Sequence, residues 1–448
     1  MLDRLKLFFT FFDSRWEDLE RHNWKSTVYR DFSAGLIVAM TAIPMAMGFA
    51  MAMGMRPEQG IIAGAMACLV GRTFGGSKYQ VYGPTAAFIP VIASLMGKYD
   101  HGFLILCSGL AGVILMLMGL FGTGKFVKQL VPNSIIVGFT VGIGVTIALT
   151  NLDSILGVQF EGSGVLGVLT GIAGNLGNIN GAALFIGLMT FLVTRYLLRV
   201  SIFIPAPLIA LGIATVLGAT LLQGSGLTLV ADQYGAIPND FFRLTLPSLP
   251  AVSPTMLADM AYYVFAIVFV SGVESLLCSS MADRLAGNRR TPFNPDKEFW
   301  GQGLVQVITP LVNGFPCTGA LARTATSIKS GAVTPLAGYF KFALKLLLAY
   351  YLAQYLNMVP MACIGGILLW VSTNMVKPAE IKHVWGADRA HGLLMAFTAV
   401  MVPATDFLTG VLAALAIYFV FRKSFGHLPE PDQTPARLRV KTGEPLPA

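Results

Sequence analysis

Apolar residues fill this chain in long blocks separated by short polar breaks, and the block length is the one a lipid bilayer asks of a helix. A hydrocarbon core of about 30 Å needs roughly 20 apolar residues in helical form. The pattern predicts helices over 34–53, 59–71, 103–121, 135–149, 182–198 and 204–222. A polar loop, 223–255, follows, and then helices over 261–281, 299–312, 340–356, 360–375 and 407–421. Three more apolar pieces, 85–95, 320–330 and 391–402, are too short to span alone. Counting them, the pattern predicts an all-α polytopic membrane protein of fourteen transmembrane elements, seven on each side of the loop.

Composition agrees with that reading. The 448 residues are 55% apolar and 12% charged, with a mean hydropathy of +0.68, whereas charged residues make up about a quarter of a soluble globule. Glycines and prolines lie inside the apolar runs, as they do in membrane helices. The run LFFTFF at 7–12 is shorter than a signal-peptide core of roughly 7–15 residues. Asp13, Arg15 and Glu17 follow it, so we expect an interfacial amphipathic segment that stays attached. Cys68, Cys107, Cys278, Cys317 and Cys363 lack CxxC spacing and lie in or beside apolar spans, the pattern of buried free thiols.

The formal charge of +8 is dispersed over short loops, which points to membrane topology and away from nucleic acid. With a cytoplasmic N-terminus, the inward loops hold sixteen Lys and Arg, including Lys125, Lys128, Lys341 and Lys345. The outward loops hold three: Arg56, Lys98 and Arg243. This positive-inside bias predicts both termini in the cytoplasm, in a bacterial-type inner membrane. The histidines, His22 and His427 among them, fall at span ends or in tails. No triad, metal cluster or phosphate loop is visible, so neither an enzyme nor a cofactor is expected.

Seven elements per half require the second half to cross the membrane inverted relative to the first. The expected division is an N-terminal segment 1–31, a first repeat 32–222, an external loop 223–255, a second repeat 256–421 and a tail 422–448. The third and tenth elements occupy matching positions, and each follows a Gly/Pro-containing stretch, QVYGPT and GFPCTG. Broken helices at matching positions point to a substrate site near the midplane. Two half-helices starting there would aim free N–H groups and positive dipole ends at one point, which suits an anion. Arg323 is the basic residue expected inside a core segment, where a charge needs a partner or a purpose. Two readings stay open for it: anion attraction, or a structural ion pair with Glu274. Helical spacing puts Ser271, Glu274 and Cys278 on one face. A carboxylate there, balanced between burial and a nearby guanidinium, suits proton exchange during a transport cycle. Thr85, Thr324 and Ser327 are candidate hydroxyl donors, although such residues also bond to their own helix carbonyls. On number alone Phe49 and Phe88 are expected to be packing.

Several of these segments resemble the SulP family of anion permeases, which includes bacterial sulfate and bicarbonate permeases and prestin. They are DFSAGLIVAMTAIPMAMGFAMAMGMRPEQG, FGGSKYQVYGPTAAF, VPNSIIVGFTVGIGVTIAL, VESLLCSSMADRLAG, DKEFWGQGLVQ, GFPCTGALARTATSIKSGAVTPLAG and VPMACIGGILL. They occur in the family's order from about Asp31 to Phe421. The resemblance implies a seven-plus-seven inverted repeat divided into core and gate subdomains, with elevator-like movement of the core and a possible homodimer. By position it implies an anion pocket lined by Met45 and Phe49, by Thr85 and Ala86, and by Ala320, Leu321, Ala322 and Arg323. It implies ion coupling at Glu274, flanked by Cys278 and Ser271.

The chain also departs from the family pattern. Met45 stands where many relatives have glutamine, and Thr85 where prestin-like members have phenylalanine. Sodium-coupled bicarbonate members carry aspartate and threonine at the positions of Glu274 and Cys278, and a thiol is a poor ligand for a hard cation. Proton coupling or exchange is therefore expected ahead of sodium symport. Only 27 residues follow Phe421, too few for the family's usual STAS domain, so that domain is expected to be missing. The expected function is transport of sulfate, bicarbonate or a dicarboxylate. The rivals are a sodium-coupled bicarbonate symporter, an uncoupled channel, a nucleobase permease and, last, a membrane enzyme.

Overall fold

Several helix starts in this chain are fixed by short polar side chains that accept from first-turn N–H groups. The computed structural model describes residues 6, 8–21, 24–124, 132–158, 164–238, 242–405, 407–422 and 425. Its main elements are α1 (Trp24–Ala52), α2 (Pro57–Phe74), the strand β1 (Tyr82–Gly83), α3 (Ile89–Lys98), α4 (His101–Phe121), α5 (Asn133–Thr150), α6 (Gly181–Val200) and α7 (Ala206–Ala219). They continue as α8 (Pro254–Ala286), α9 (Pro295–Leu311), β2 (Thr318–Gly319), α10 (Leu321–Lys329), α11 (Leu336–Asn357), α12 (Met361–Met375), α13 (Arg389–Ala404) and α14 (Phe407–Val420). Asp100 caps α4, Asn180 caps α6, Ser253 caps α8 and Asn294 caps α9. Asp31, fully buried, accepts from the backbone of Val333 and Thr334 and so ties α1 to the chain entering α11.

The helices pack in two groups. In one, α1 and α2 lie against α11, α2 and α4 against α9, and α8 against α4 and α10. In the other, α5 packs on α12 and α13, α6 on α7 and α12, and α13 on α14. Contacts of α1 with α7 and α12 join them. The tightest pair, α4 with α9, meets through glycines. A Cβ on Gly112 would stand 2.6 Å from Gly303 O, and one on Gly303 would stand 2.5 Å from Gly112 O.

Among the described residues six helices are long and apolar enough to cross a membrane by length and composition. They are α1, α4, α6, α8, α11 and Asn133–Leu156, which contains α5. Predicted and observed helices coincide within a few residues, except that α1 and α8 extend well beyond their apolar runs. Helix α1 begins ten residues before the apolar run, because its first turns are polar. Short helices at Leu152–Leu156, Gly164–Gly174, Val230–Tyr234 and Pro378–Ala387 were not expected. The structure is mostly helical, as expected, and the extended stretches QVYGPT and GFPCTG pair as a two-stranded antiparallel sheet. Lys341 and Lys345, assigned above to an inward loop, lie inside α11 and are buried. The expectation that Arg323 is the one basic residue within a core segment therefore fails. The five cysteines are free and buried. Lys125, Lys128, His22, His427, Leu7 and nearly all of the tail from 423 lie outside the described residues.

The N-terminal segment docks on the protein by one face. Phe8 stacks on Trp300 with ring centroids 4.9 Å apart, while Phe12 is exposed. The buried Arg15 guanidinium donates to the carbonyls of Arg72 and Gly75, and Lys297 Nζ donates to Thr10 O at 2.8 Å and to Asp13 Oδ2 at 2.7 Å. Burial raises the Asp13 carboxyl, but Arg15 and Lys297 outweigh it and hold the group below its ordinary value. A carboxylate lowered on folding stabilises above its unfolded pKa, so this anchor is complete above about pH 4 and is lost only as pH falls below that. Asp13→Asn is expected to speed amide exchange over residues 8–21 about tenfold at neutral pH, the loss of one charge-assisted bond. Unchanged exchange would locate the anchor elsewhere.

Candidate functional site

The site is organised by two extended stretches that cross between helices. Gly83 precedes a proline, which disfavours helix there, and β2 likewise follows Pro316 and opens into Gly319. Tyr82 pairs with Gly319 and Gly83 with Thr318, and Ala320 N donates to Val81 O at 2.9 Å. So short a pair leaves most of its backbone groups for side chains to satisfy. From α9, Gln306 Oε1 accepts from Cys317 N at 3.2 Å, while Gln306 Nε2 and Gln302 Nε2 donate to Cys317 O. From α8, the Ser271 carbonyl accepts from Thr318 Oγ1 at 3.2 Å. Thr324 Oγ1 accepts from Val81 N at 2.8 Å.

Glu298, in the first turn of α9, is the centre of this support and was not singled out from sequence. Its Oε2 accepts from the N–H groups of Gly76 and Ser77 at 2.9 and 3.1 Å, and its Oε1 from Gln80 Nε2 at 2.8 Å. The Tyr82 hydroxyl lies 2.8 Å from both oxygens, and Ser275 Oγ donates to Oε1. Gln80 in turn donates to Ser275 Oγ at 2.9 Å and accepts from Ser279 Oγ at 2.6 Å. One signal was available. Glu298, Gln302 and Gln306 stand at i, i+4 and i+8, a polar stripe on one face of a helix.

Beyond the strands the chain turns into α3, through a tight turn at Ala86–Phe88, and into α10, whose N-cap is Ala320. First-turn N–H groups of α10 lack intrahelical acceptors, whereas before α3 Phe88 N–H donates to Thr85 O and Ile89 N–H to Ala86 O, and Pro90 has none. Arg323, on the first turn of α10, is 4% exposed. Its Nη2 donates to Pro84 O, and a Cβ on Gly83 would lie 3.0 Å from its Nη1. Among the described residues Nη1 is buried without a hydrogen-bond partner. Glu274 is partly exposed on α8 and accepts from Thr85 Oγ1 at 2.9 Å. Among the described residues Arg323 and Glu274 form no ion pair. Ala322, on the first turn of α10, is exposed, while its neighbours Arg323 and Thr324 are buried, and α10 packs on α8, which carries Glu274. The arrangement has the parts of an anion pocket: a guanidinium with an unused donor, two helix N-termini and one carboxylate.

The Sulfate permease family model matches residues 28–398. The chain belongs to that family. "Putative sulfate transporter YvdB" of Bacillus subtilis (strain 168) is 35% identical over 397 residues, covering 88% of this chain and 73% of its own. "Bicarbonate transporter BicA" of Picosynechococcus is 27% identical, covering 85% of this chain and 68% of its own. Among solved structures, the transmembrane domain of a cyanobacterial bicarbonate transporter BicA aligns with TM-score 0.71 and 25% identity over 86% of this chain and 97% of that one. The murine Slc26a9 anion transporter in its inward-facing state aligns with TM-score 0.79 and 18% identity over 92% of this chain and 71% of that one, a likeness of fold. This permease is therefore a membrane transporter and not an enzyme.

The remaining candidates are placed unevenly around the permease's junction. Met45 and Phe49 are buried in α1, within the same apolar cluster as Ala86 and Phe88. Ala320 and Leu321 begin α10 beside Ala322. Cys278 Sγ lies 3.3 Å from Thr324 Oγ1 and so faces α10. Ser271 instead faces α9: its hydroxyl donates to Ile267 O at 2.6 Å and accepts from Gln306. Helical spacing did put Ser271 and Cys278 on one stripe with Glu274, but their partners differ. Replacing Glu298 by Gln would turn one acceptor oxygen into a donor facing donors. Glu298→Gln is expected to lower the melting temperature in detergent by roughly 5 °C or more, because several buried groups lose their acceptor. An unchanged melting temperature would mean that this support is not needed.

Proposed function

We propose that this permease is a secondary active transporter of small anions, sulfate, bicarbonate or a dicarboxylate, working by elevator-like alternating access. The observation that carries this is the buried Arg323 guanidinium, its Nη1 without a partner among the described residues, on the first turn of a short helix packed on the helix that carries Glu274. On this reading the anion sits between the starts of α3 and α10, held by Arg323 Nη1, backbone N–H groups and the Thr85 hydroxyl. Ala86, Ala320, Leu321 and Ala322 supply that backbone, and Met45 and Phe49 supply the apolar wall. Antiparallel pairing of the strands before α3 and α10 supports a seven-plus-seven inverted repeat. In it α1 to α4 with α8 to α11 form the moving core, and the other six helices form the gate. Both termini are cytoplasmic in this arrangement, and two chains assemble as a homodimer.

Glu274 is the proposed coupling carboxylate, with Cys278 and Ser271 beside it on α8. Proton coupling or exchange is favoured over sodium because Cys278 offers a thiol and the Ser271 hydroxyl is already engaged with Ile267 and Gln306. The likeness to a bicarbonate transporter keeps a monovalent cargo in the test.

The test is uptake of labelled sulfate, bicarbonate and succinate into proteoliposomes at two pH gradients. Arg323→Ala is expected to lower uptake about tenfold or more, the worth of a charge-assisted contact to an anion. Glu274→Gln is expected to abolish dependence on the proton gradient while leaving anion exchange measurable. Unchanged pH dependence in that variant would remove Glu274 from the mechanism, and full uptake without Arg323 would remove the pocket.

A further inference from the structure

Two lysines that the transport reading leaves unused lie directly behind the pocket. Lys341 and Lys345 stand one turn apart on α11, 1% and 0% exposed. Lys341 Nζ donates to Tyr82 O at 2.9 Å. Lys345 Nζ has one long bond, 3.4 Å, to Gly60 O. It occupies the space where a side chain on Gly64 would be, and Pro84 lies against the same position. Neither lysine forms an ion pair among the described residues. With Arg323 at Gly83 and Pro84, three basic side chains therefore surround the three residues Tyr82, Gly83 and Pro84, immediately before Thr85. Glu274 is the carboxylate on the pocket side, held by Thr85. Glu298 and Asp31 are engaged elsewhere: Glu298 with neutral donors and the field of Arg15, Asp31 with the α11 entry and the field of Arg72.

Resting on the anion-transport reading, we propose that Lys341 and Lys345 set the charge of the cargo: with Arg323 they make the pocket select a divalent over a monovalent anion. With both lysines protonated and Glu274 ionised, three cations against one carboxylate leave two positive charges over in the occupied pocket. Buried ammonium groups without a carboxylate are costly, and a divalent anion supplies the missing counter-charge where a monovalent one supplies half. The lysines touch the backbone that forms the pocket and not the anion, so they are positioning residues that act through the field and through Tyr82–Pro84. The field makes a sharp demand. Coulomb energy is proportional to the charge of the ion, so removing one cation multiplies the half-saturating concentration of a divalent anion by the square of the factor seen for a monovalent one.

The experiment uses the full chain in proteoliposomes, reading labelled sulfate uptake and its inhibition by oxalate, nitrate and bicarbonate. For Lys345→Met and Lys341→Met, the half-saturating concentrations of sulfate and oxalate are expected to rise about tenfold and those of nitrate and bicarbonate about threefold. Lys341→Arg keeps the charge and is expected to keep the wild-type ratio. Methionine in place of a buried, unpaired lysine is tolerated by folding, and melting curves check this. If Lys345→Met does not fold, Lys341→Met against Lys341→Arg makes the same comparison. Equal factors for the two charge classes, or a ratio lost in Lys341→Arg as well, would overturn the proposal. A wild-type protein that neither carries nor binds any of these anions would overturn the transport reading itself, a different result.

Discussion

Extended backbone inside a helical membrane protein has no water to turn to, so each of its N–H and C=O groups needs a partner from the protein. The crossing of β1 and β2 meets that demand with a two-residue ladder and a surround of side chains: Gln306 and Gln302 at Cys317, Thr324 at Val81, Lys341 at Tyr82, and Arg323 at Pro84. Glu298 holds the approach to β1 by accepting from Gly76, Ser77, Gln80 and Tyr82. Helices α3 and α10 start where they do because these contacts fix the strands that lead into them. The position of the two helix N-termini, and with it the character of the pocket, follows from the satisfaction of a few peptide groups.

Much of the carbonyl side of that backbone is satisfied by cations. Arg72 donates to Lys78 O and Tyr79 O, Lys341 to Tyr82 O and Arg323 to Pro84 O. Neutral donors could fill the same hydrogen bonds, so the choice of charged ones has a consequence beyond architecture. It builds positive potential along the stretch leading to Thr85. On the proposed reading the same groups that satisfy the backbone also favour an anion in the adjacent space, and Arg323 does both, with Nη2 on the backbone and Nη1 left over among the described residues.

The sequence was legible where hydropathy and Gly/Pro punctuation speak. The short third and tenth elements, read at 85–95 and 320–330, lie at Ala86–Lys98 and Leu321–Lys329 because QVYGPT and GFPCTG interrupt apolar runs. It was illegible where a polar residue is paid for by partners far away in the chain. Lys341 looked like the cytoplasmic end of a span, because its acceptor, Tyr82 O, lies 259 positions away. Glu298 was passed over for the same reason, its Tyr82 partner being 216 positions distant. Ser271 shows the limit of helical spacing: the stripe was right, but only the neighbouring helices decide which of its members meet.

The central claim is that the unused donor of Arg323 and the starts of α3 and α10 converge on one bound anion. Selenate, a divalent oxyanion with strong anomalous scattering, offers the most direct measurement in an experimentally determined structure of the protein. The account predicts an anomalous peak between Thr85 and Ala322, with an oxygen in hydrogen-bond reach of Arg323 Nη1. A peak elsewhere with that space filled by side chains, or Arg323 Nη1 bonded to protein beside an empty junction, would contradict it.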